Sequence, residues 1–447
     1  MQVLAKAGAH DLLQERWNAY GQFTHISSWK APFSAAYTNL NGSDHSLSPN
    51  SEYSFTTTAT LFLGLALWRG AEVYAVPELI SSRPLSGLVG LGASIQNFEL
   101  QKQGSVTPSV YLSRIYLTQT INLGGARDER VSGPMQLGTG VDRRRLVFVV
   151  GDYSILDYFD RNQVVGDPRR QFFNIAFLTH GAFDFAADAR GYTFGALVEL
   201  HYDDWAFRVG RFAPPKEPNQ LALDFRLGQY YGDQAELEHA HRIAGRAGVV
   251  RLLGYRNREN MGGFADAVRA YQADPTRNAA ACTSFNYESS NGAAPDLCWV
   301  REPRIKVGVG VSFEQQVTSD VGMFARAMVS DGKSEVYSYT SSDRSASFGA
   351  VVHGRPWRRP FDVVGTAYAA SWISSAHGQY LALGGIDGFI GDGRLERASE
   401  RVFELFYSLH VYRSITLSAD YQHIANPAYN ADRGPVNVLS GRLHAEF

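Results

Sequence analysis

Residues 439–447 read LSGRLHAEF and close the chain. At the period of two that a strand imposes, Leu439, Gly441, Leu443, Ala445 and Phe447 share one face, and Ser440, Arg442, His444 and Glu446 share the other. The first face suits hydrocarbon and the second suits water. An open edge on such a strand would leave N–H and C=O groups unsatisfied in a bilayer, at roughly several kcal/mol each. The stretch therefore requires a first strand to close against and a ring of strands between the two.

Upstream segments supply candidates. Asn18 to Trp29 is read as a strand, and from Tyr53 to Leu67 the odd positions end in Leu61, Leu63, Leu65 and Leu67 while the even ones begin Ser54, Thr56, Thr58, Thr60. Glu72 and Glu78 flank the next candidate, and SGLVGLGAS follows as a loop. Between Tyr111 and Leu123, Ile115, Leu117 and Ile121 oppose Arg114, Tyr116, Thr118 and Thr120. Arg145 to Asp152 is apolar on both faces. Tyr192, Phe194, Ala196, Val198 and Leu200 point outward against Thr193, Glu199 and His201; Asp203 and Asp204 form a tight turn, and Trp205, Phe207 and Val209 return with Arg208 inward. Gln234, Glu236 and Glu238 share a face of a strand over 230–241, and 249–257 is strand-like. The clearest alternation is Ile305, Val307, Val309, Val311 and Phe313 against Arg304, Lys306, Ser312 and Glu314, after which residues 321–330 return with Arg326 inward. Further candidates are 335–341, 345–353, 362–374, 400–412 (Phe403, Leu405 out; Glu404, Ser408 in) and 415–422.

About 16 or 17 strands can be counted, and single-chain bacterial barrels use even numbers. The fold class is thus all-β, a transmembrane antiparallel β-barrel spanning 18–447, with 16 strands and 18 as the alternative. Residues 1–17 form an N-terminal segment in which 10–17 suit a short amphipathic helix. Residues 153–190 break the period with mixed aromatics, Asp and Arg, and read as a partly helical loop folded into the lumen as a constriction. Residues 258–301 read as a long loop carrying Cys282 and Cys298, whose 16-residue spacing reads as a local disulfide in an exported chain. Short turns such as 318–320 and 412–414 are expected on the periplasmic side.

Composition agrees. The chain of 447 residues is 45% hydrophobic, yet holds no run near the roughly 18 to 20 apolar residues of a helical span. Aromatics at 13% fit interfacial girdles. A net charge of −2 with interleaved signs argues against a nucleic-acid partner. The opening MQVLAKAGAHDLLQERW lacks the apolar core of a signal peptide, so an exported protein would have lost its signal from this sequence.

Catalytic and metal chemistry find no support. There is no Gly-x-Ser-x-Gly elbow, no His-Glu-x-x-His and no phosphate-cradling loop with its Lys. His239 and His241 share a face without a third ligand, so neither a metal nor a cofactor is expected. GGIDGFIGDG lacks the spacing of a calcium loop.

The aromatic carboxyl terminus resembles the insertion signal of bacterial outer-membrane barrels, which implies that Phe447 is offered to the barrel-insertion machinery. Several stretches also resemble the OprB-type carbohydrate-selective porin family: FFNIAFLTHGAFDFAADARGYTFGALVEL (172–200), DDWAFRVGRF (203–212), the Glu-bearing strand at 233–241 with GVVRLLGYRNR after it, GGIDGFIGDG, and NPAYNADRGPVNVLSGRLHAEF (426–447). They span roughly 110–447, and the Gly-Asp-Trp-Gly-Gly opening of many members is missing from the first hundred residues. The resemblance implies a 16-stranded barrel in the bacterial outer membrane, as monomer or trimer amid lipid and lipopolysaccharide, passing glucose and related saccharides.

A sugar that sheds water in a constriction needs replacement donors and acceptors, which Arg and Glu supply. Binding must stay near millimolar, about −4 kcal/mol, for the solute to leave again. The expected lining is Arg114, Glu199, Arg208, Glu236, Arg326 and Glu404, with Tyr116 covering an apolar sugar face. Arg169, Arg170, Asp184, Asp188 and Arg190 would act from the inward loop. For each of these the alternative role is an ion pair that ties loop to wall. The rival functions are a polysaccharide-export pore, which needs a lumen of one sign, and a barrel enzyme, for which no Ser can be nominated.

Overall fold

A computed structural model describes residues 1–276, 292–338, 341–412 and 414–447. Sixteen strands form one closed antiparallel barrel: β1 (Trp17–Lys30), β2 (Glu52–Trp68), β3 (Ala71–Arg83), β4 (Ser109–Arg130), β5 (Thr139–Tyr153), β6 (Thr193–Tyr202), β7 (Trp205–Phe212), β8 (Tyr231–Ile243), β9 (Arg246–Met261), β10 (Glu302–Gln316), β11 (Val321–Ser330), β12 (Arg344–Gly354), β13 (Arg359–Trp372), β14 (Glu400–Tyr412), β15 (Ile415–Ala425) and β16 (Val436–Glu446). β16 pairs with β1 in register from Gln22↔Glu446 to Lys30↔Val438, which removes the last open edge. The expected alternative of 18 strands is excluded.

The alternation sorts the wall as hydrocarbon and water require. Leu61, Leu63, Leu65 and Leu67 keep 40–47% of their surface exposed on the outside of β2, while Ser54, Thr56, Thr58 and Thr60 are buried inside. On β16, Leu439 and Leu443 face out and Ser440, Arg442 and His444 face in. No helix among the described residues is long and apolar enough to cross a membrane. Tight turns gather at one end; Asp203, Ala244 and Gly245 have the positive φ that two-residue hairpin turns favour. The long connections gather at the other end. By the usual asymmetry of such barrels the tight-turn end is periplasmic and the long-loop end extracellular.

Several local expectations are corrected. The N-terminal helix α1 is Gln2–Lys6, and residues 10–16 are irregular. Glu72 and Glu78 lie within β3. Of the candidate strand at 335–341, residues 335–338 form no strand, because their backbone follows the inward loop: Tyr337 and Ser338 N–H donate to Asp184. Tyr192 turns inward instead of outward, its hydroxyl meeting Lys102. β9 continues to Met261, and the connection beyond it carries α2 (Phe264–Ala273). This helix packs on α3 (Ser375–Ala382) in a separate small core at the extracellular end with Leu297, Ile390 and Tyr429. Cys282 lies outside the described residues, and the Cys282–Cys298 pairing with it.

Residues 154–192 fill much of the lumen. Phe159, Phe172, Phe173, Ile175, Phe177 and Phe183 are almost wholly buried. They meet inward aromatics of the wall: Phe172 sits edge-on to Phe406 at 5.0 Å, and Phe183 lies 5.5 Å from Tyr255. Six apolar side chains in a water-filled barrel would be costly, so the loop and this part of the wall form a dry core instead.

Candidate pore constriction

What remains open is a cavity of about 1400 Å³. Its lining includes Tyr20 and Ser414 near the periplasmic end, Ser338 near the extracellular end, and a middle built by Arg114 of β4, the connection 84–108 and the near edge of the inward loop. The charged residues on it are Lys6, Lys102, Arg114, Arg161, Arg169, Arg170 and Arg190 against Asp157, Asp167 and Glu446. Cations predominate.

A single proline shapes the middle. Pro77 on β3 has no N–H to give the ladder, and the register with β4 shifts there, Val76 facing Arg114 and Pro77 facing Leu112. Ser113 becomes the extra residue of a bulge, and its hydroxyl donates to the Val76 carbonyl at 2.7 Å. The bulge exchanges the faces of β4: before it Tyr111 points inward, after it Arg114 and Tyr116 do. Two residues of opposite parity thus reach the same lumen.

Around them the cations are braced from behind. Arg114 grips Asp157 with two hydrogen bonds, 2.6 and 2.7 Å, and stacks 5.0 Å from the Tyr192 ring. Lys102 donates to Glu78 at 3.0 Å and to the Tyr192 hydroxyl at 3.1 Å. Arg169 spans Glu99, at 2.8 Å, and Glu78, at 2.7 Å. Tyr111 donates to Glu78 and carries the Arg190 guanidinium 4.2 Å above its ring. Arg170 pairs with Glu446 of β16. Arg161 is exposed and has no ion pair among the described residues. The result is a set of fixed guanidinium forks beside two tyrosine rings.

The other expected lining residues are elsewhere. Glu199, Arg208 and Glu236 are buried in one another's company, with Arg208 holding Glu199 at 3.2 Å and also pairing with Glu236. Glu236 accepts the Asp160 N–H at 2.7 Å. Arg326 donates to the carbonyls of Asp160 and Phe177 at 3.0 and 3.2 Å, and Glu404 accepts the N–H groups of Phe173 and Asn174. Asp184 binds the Lys306 ammonium at 3.0 Å, and Asp188 accepts from Arg190 and Tyr192 N–H. Tyr116 is packed between Tyr74 and Tyr153. None of these eight lines the cavity. Glu236, Arg326 and Glu404 are drawn off because the inward loop brings backbone groups into the barrel that these side chains satisfy; Glu199 and Arg208 are consumed by side-chain ion pairs, and Tyr116 by ring packing. Arg114, Arg169, Arg170 and Arg190 lie on the cavity.

Sequence reasoning passed over Glu78, Glu99, Lys102, Tyr111, Asp157, Arg161 and Tyr192. Pro77 inside a strand was the available signal for Tyr111. Nothing in the alternation signals Glu99 or Lys102, which lie in a connection.

The closed barrel, the inward loop and the charged passage define a class: a channel of the bacterial outer membrane, crossed by strands and open to small solutes. The family follows from the sequence, since residues 44–447 match the family model "Carbohydrate-selective porin, OprB family", and the chain belongs to that family. No curated protein matches the chain in sequence. Among solved structures it is similar to Pseudomonas putida OprB in a high-pH form, with 15% identity, 99% of this chain and 97% of the other covered, and a TM-score of 0.71. A low-pH form of the same porin gives 14% identity over 100% and 98%, with a TM-score of 0.51. The outer membrane channel DcaP of Acinetobacter baumannii gives 11% identity over 96% and 97%, with a TM-score of 0.50. At these identities the likenesses speak for the fold alone.

Proposed function

We propose that the protein lets small saccharides of glucose size diffuse passively through the passage beside β3 and β4, without cofactor or energy source. The observation that carries the reading is the pairing of fixed cationic forks with aromatic faces on the open side of the lumen: Arg190 over Tyr111, and Arg114 and Lys102 at Tyr192. Forks offer donors in fixed directions to hydroxyls, and a tyrosine face covers the apolar face of a pyranose. Arg114 and Lys102 are partly spent on Asp157 and Glu78, and Arg190 on the Lys102 carbonyl, which keeps the net affinity weak enough for passage. Phe447 exchanges backbone hydrogen bonds with Gly21 at 2.7 and 3.0 Å. Its ring stays exposed on the outer face, where insertion machinery would engage it.

Purified protein in liposomes tests this by influx of glucose, a disaccharide and a neutral amino acid of similar size. Faster glucose entry supports the reading, and equal entry of all three replaces it with a general pore. The cationic excess on the lining favours a second reading, in which sugar acids outpace neutral sugars. A hexuronate in the same assay, compared with glucose at low and high salt, separates the two.

A further inference from the structure

On the outer wall, above the lipid-facing belt, β7 to β9 carry charges where neighbouring strands carry hydrocarbon. Arg211, Asp233 and Arg256 lie opposite one another in one cross-strand row, on the same outward parity as Phe207, Leu237 and Leu252. Arg211 is bidentate to Asp233, at 2.7 and 2.8 Å, and both Arg211 and Arg256 lie over the Tyr231 ring, at 3.9 and 5.5 Å. Arg258 follows on the same face of β9 and donates to the Gln229 carbonyl at 2.6 Å. One carboxylate therefore stands against three guanidinium groups. Arg256 has no acidic partner among the described residues.

Directly below that row the wall is recessed. Val209, Ala235 and Gly254 form the next cross-strand row, and a Cβ placed on Gly254 would meet only the Gly308 carbonyl, at 3.9 Å. The recess has a volume of about 680 Å³ and is bounded by Ala196, Val198, Arg211 and Arg256 among others. An apolar trough under an excess of guanidinium charge on a membrane-facing wall matches one kind of molecule: a phosphorylated lipid with its chain in the trough and its phosphate at the arginines. At this height a guanidinium sits among the headgroups, where a phosphate is its natural counter-charge. The row lies at the long-loop end of the strands, in the leaflet that contains lipopolysaccharide.

We propose that this recess is a docking site for lipopolysaccharide, with a lipid A phosphate held by Arg256 and Arg258 and an acyl chain lying over Ala235 and Gly254. Arg211 is already neutralised by Asp233 and fixes Tyr231 beneath the incoming phosphate. The site rests on the outer-membrane placement of the barrel, not on sugar passage, and lies on the far side of the wall from the lumen.

The test uses the intact protein in detergent, with retention of purified diphosphoryl lipid A followed by native mass spectrometry. The wild type should hold it about tenfold or more tightly than Arg256→Gln with Arg258→Gln, in keeping with the loss of charge-assisted hydrogen bonds. Dephosphorylated lipid A should bind the wild type no better than diphosphoryl lipid A binds the variant. Ala235→Leu, which fills the trough and leaves the arginines, should also weaken retention. Equal retention by wild type and the arginine variant, or phosphatidylglycerol held as tightly as diphosphoryl lipid A, would overturn the proposal. Heat-modifiable migration confirms that each variant is a folded barrel. Glucose influx through the same preparations stays unchanged if the lipid site is right, and its absence in the wild type would fault the sugar reading alone.

Discussion

The two sides of the lumen use the same residue types for opposite ends. On the side of β6 to β8, β11 and β14, Glu236, Arg326 and Glu404 are buried under the inward loop and hold its backbone, and Arg208 with Glu199 pairs with Glu236 from behind. On the side of β3 and β4, Arg114, Tyr192 and Lys102 of the connection 84–108 face open space. An inward Arg or Glu on a barrel strand is therefore not evidence of a solute contact until the path of the inward loop is known. The loop decides which half of the wall is structure and which half is passage.

The strongest way to break this contrast is to remove an anchor. Arg208→Ala leaves Glu199 and Glu236 buried without their counter-charge, and should cost about 3–5 kcal/mol. It should appear as a lower temperature for heat-induced barrel unfolding in detergent and as proteolysis within 154–192. An unchanged unfolding temperature would mean that the loop is not held there. On the open side, Arg161→Ala should move stability by no more than about 0.5 kcal/mol, as for an exposed residue without partners. Glucose influx should nevertheless change.

Tyr111→Phe is an intermediate case. It removes a donor from Glu78, which Lys102 and Arg169 still satisfy, so the loss should be about 1 kcal/mol. Glucose preference should fall modestly because Arg190 keeps its ring. A full loss of preference would assign the hydroxyl a direct role.

The smallest expected effect sharpens the contrast with a third region, the extracellular cap of α2 and α3. There His377 lies between Asp343, at 3.3 Å, and Asp387, at 3.1 Å, stacked on Phe264. Burial alone would lower its pKa, but the two carboxylates outweigh burial and push it up to about 9. The stabilisation is thus fully present below the ordinary His value of about 6.5 and lost as pH rises towards 9. Hydrogen exchange in 264–273 and 375–382 should speed up over that window while the strands stay protected. Exchange in the cap that does not depend on pH, once corrected for intrinsic rate, would contradict it.

The barrel was legible because hydrocarbon outside and water inside impose a period of two on every strand, which LSGRLHAEF and residues 305–314 display openly. The inward loop was legible through the failure of that period. What could not be read was which inward residues the loop would cover: Glu404 and Arg114 both alternate correctly, and only their distance from Phe173 or from the cavity separates them. Tyr111 was hidden by the bulge at Pro77, which reverses the parity of β4. Lys102 and Glu99 were hidden because a connection has no period at all.

The most direct test of the account is glucose influx into liposomes containing either the wild type or Arg161→Ala with Arg190→Ala, each measured against a neutral amino acid of similar size. The account predicts that the wild type admits glucose faster than the amino acid, and that the double variant loses this preference while its barrel unfolds at nearly the wild-type temperature. A preference kept intact in the double variant would contradict a passage governed by the β3–β4 side.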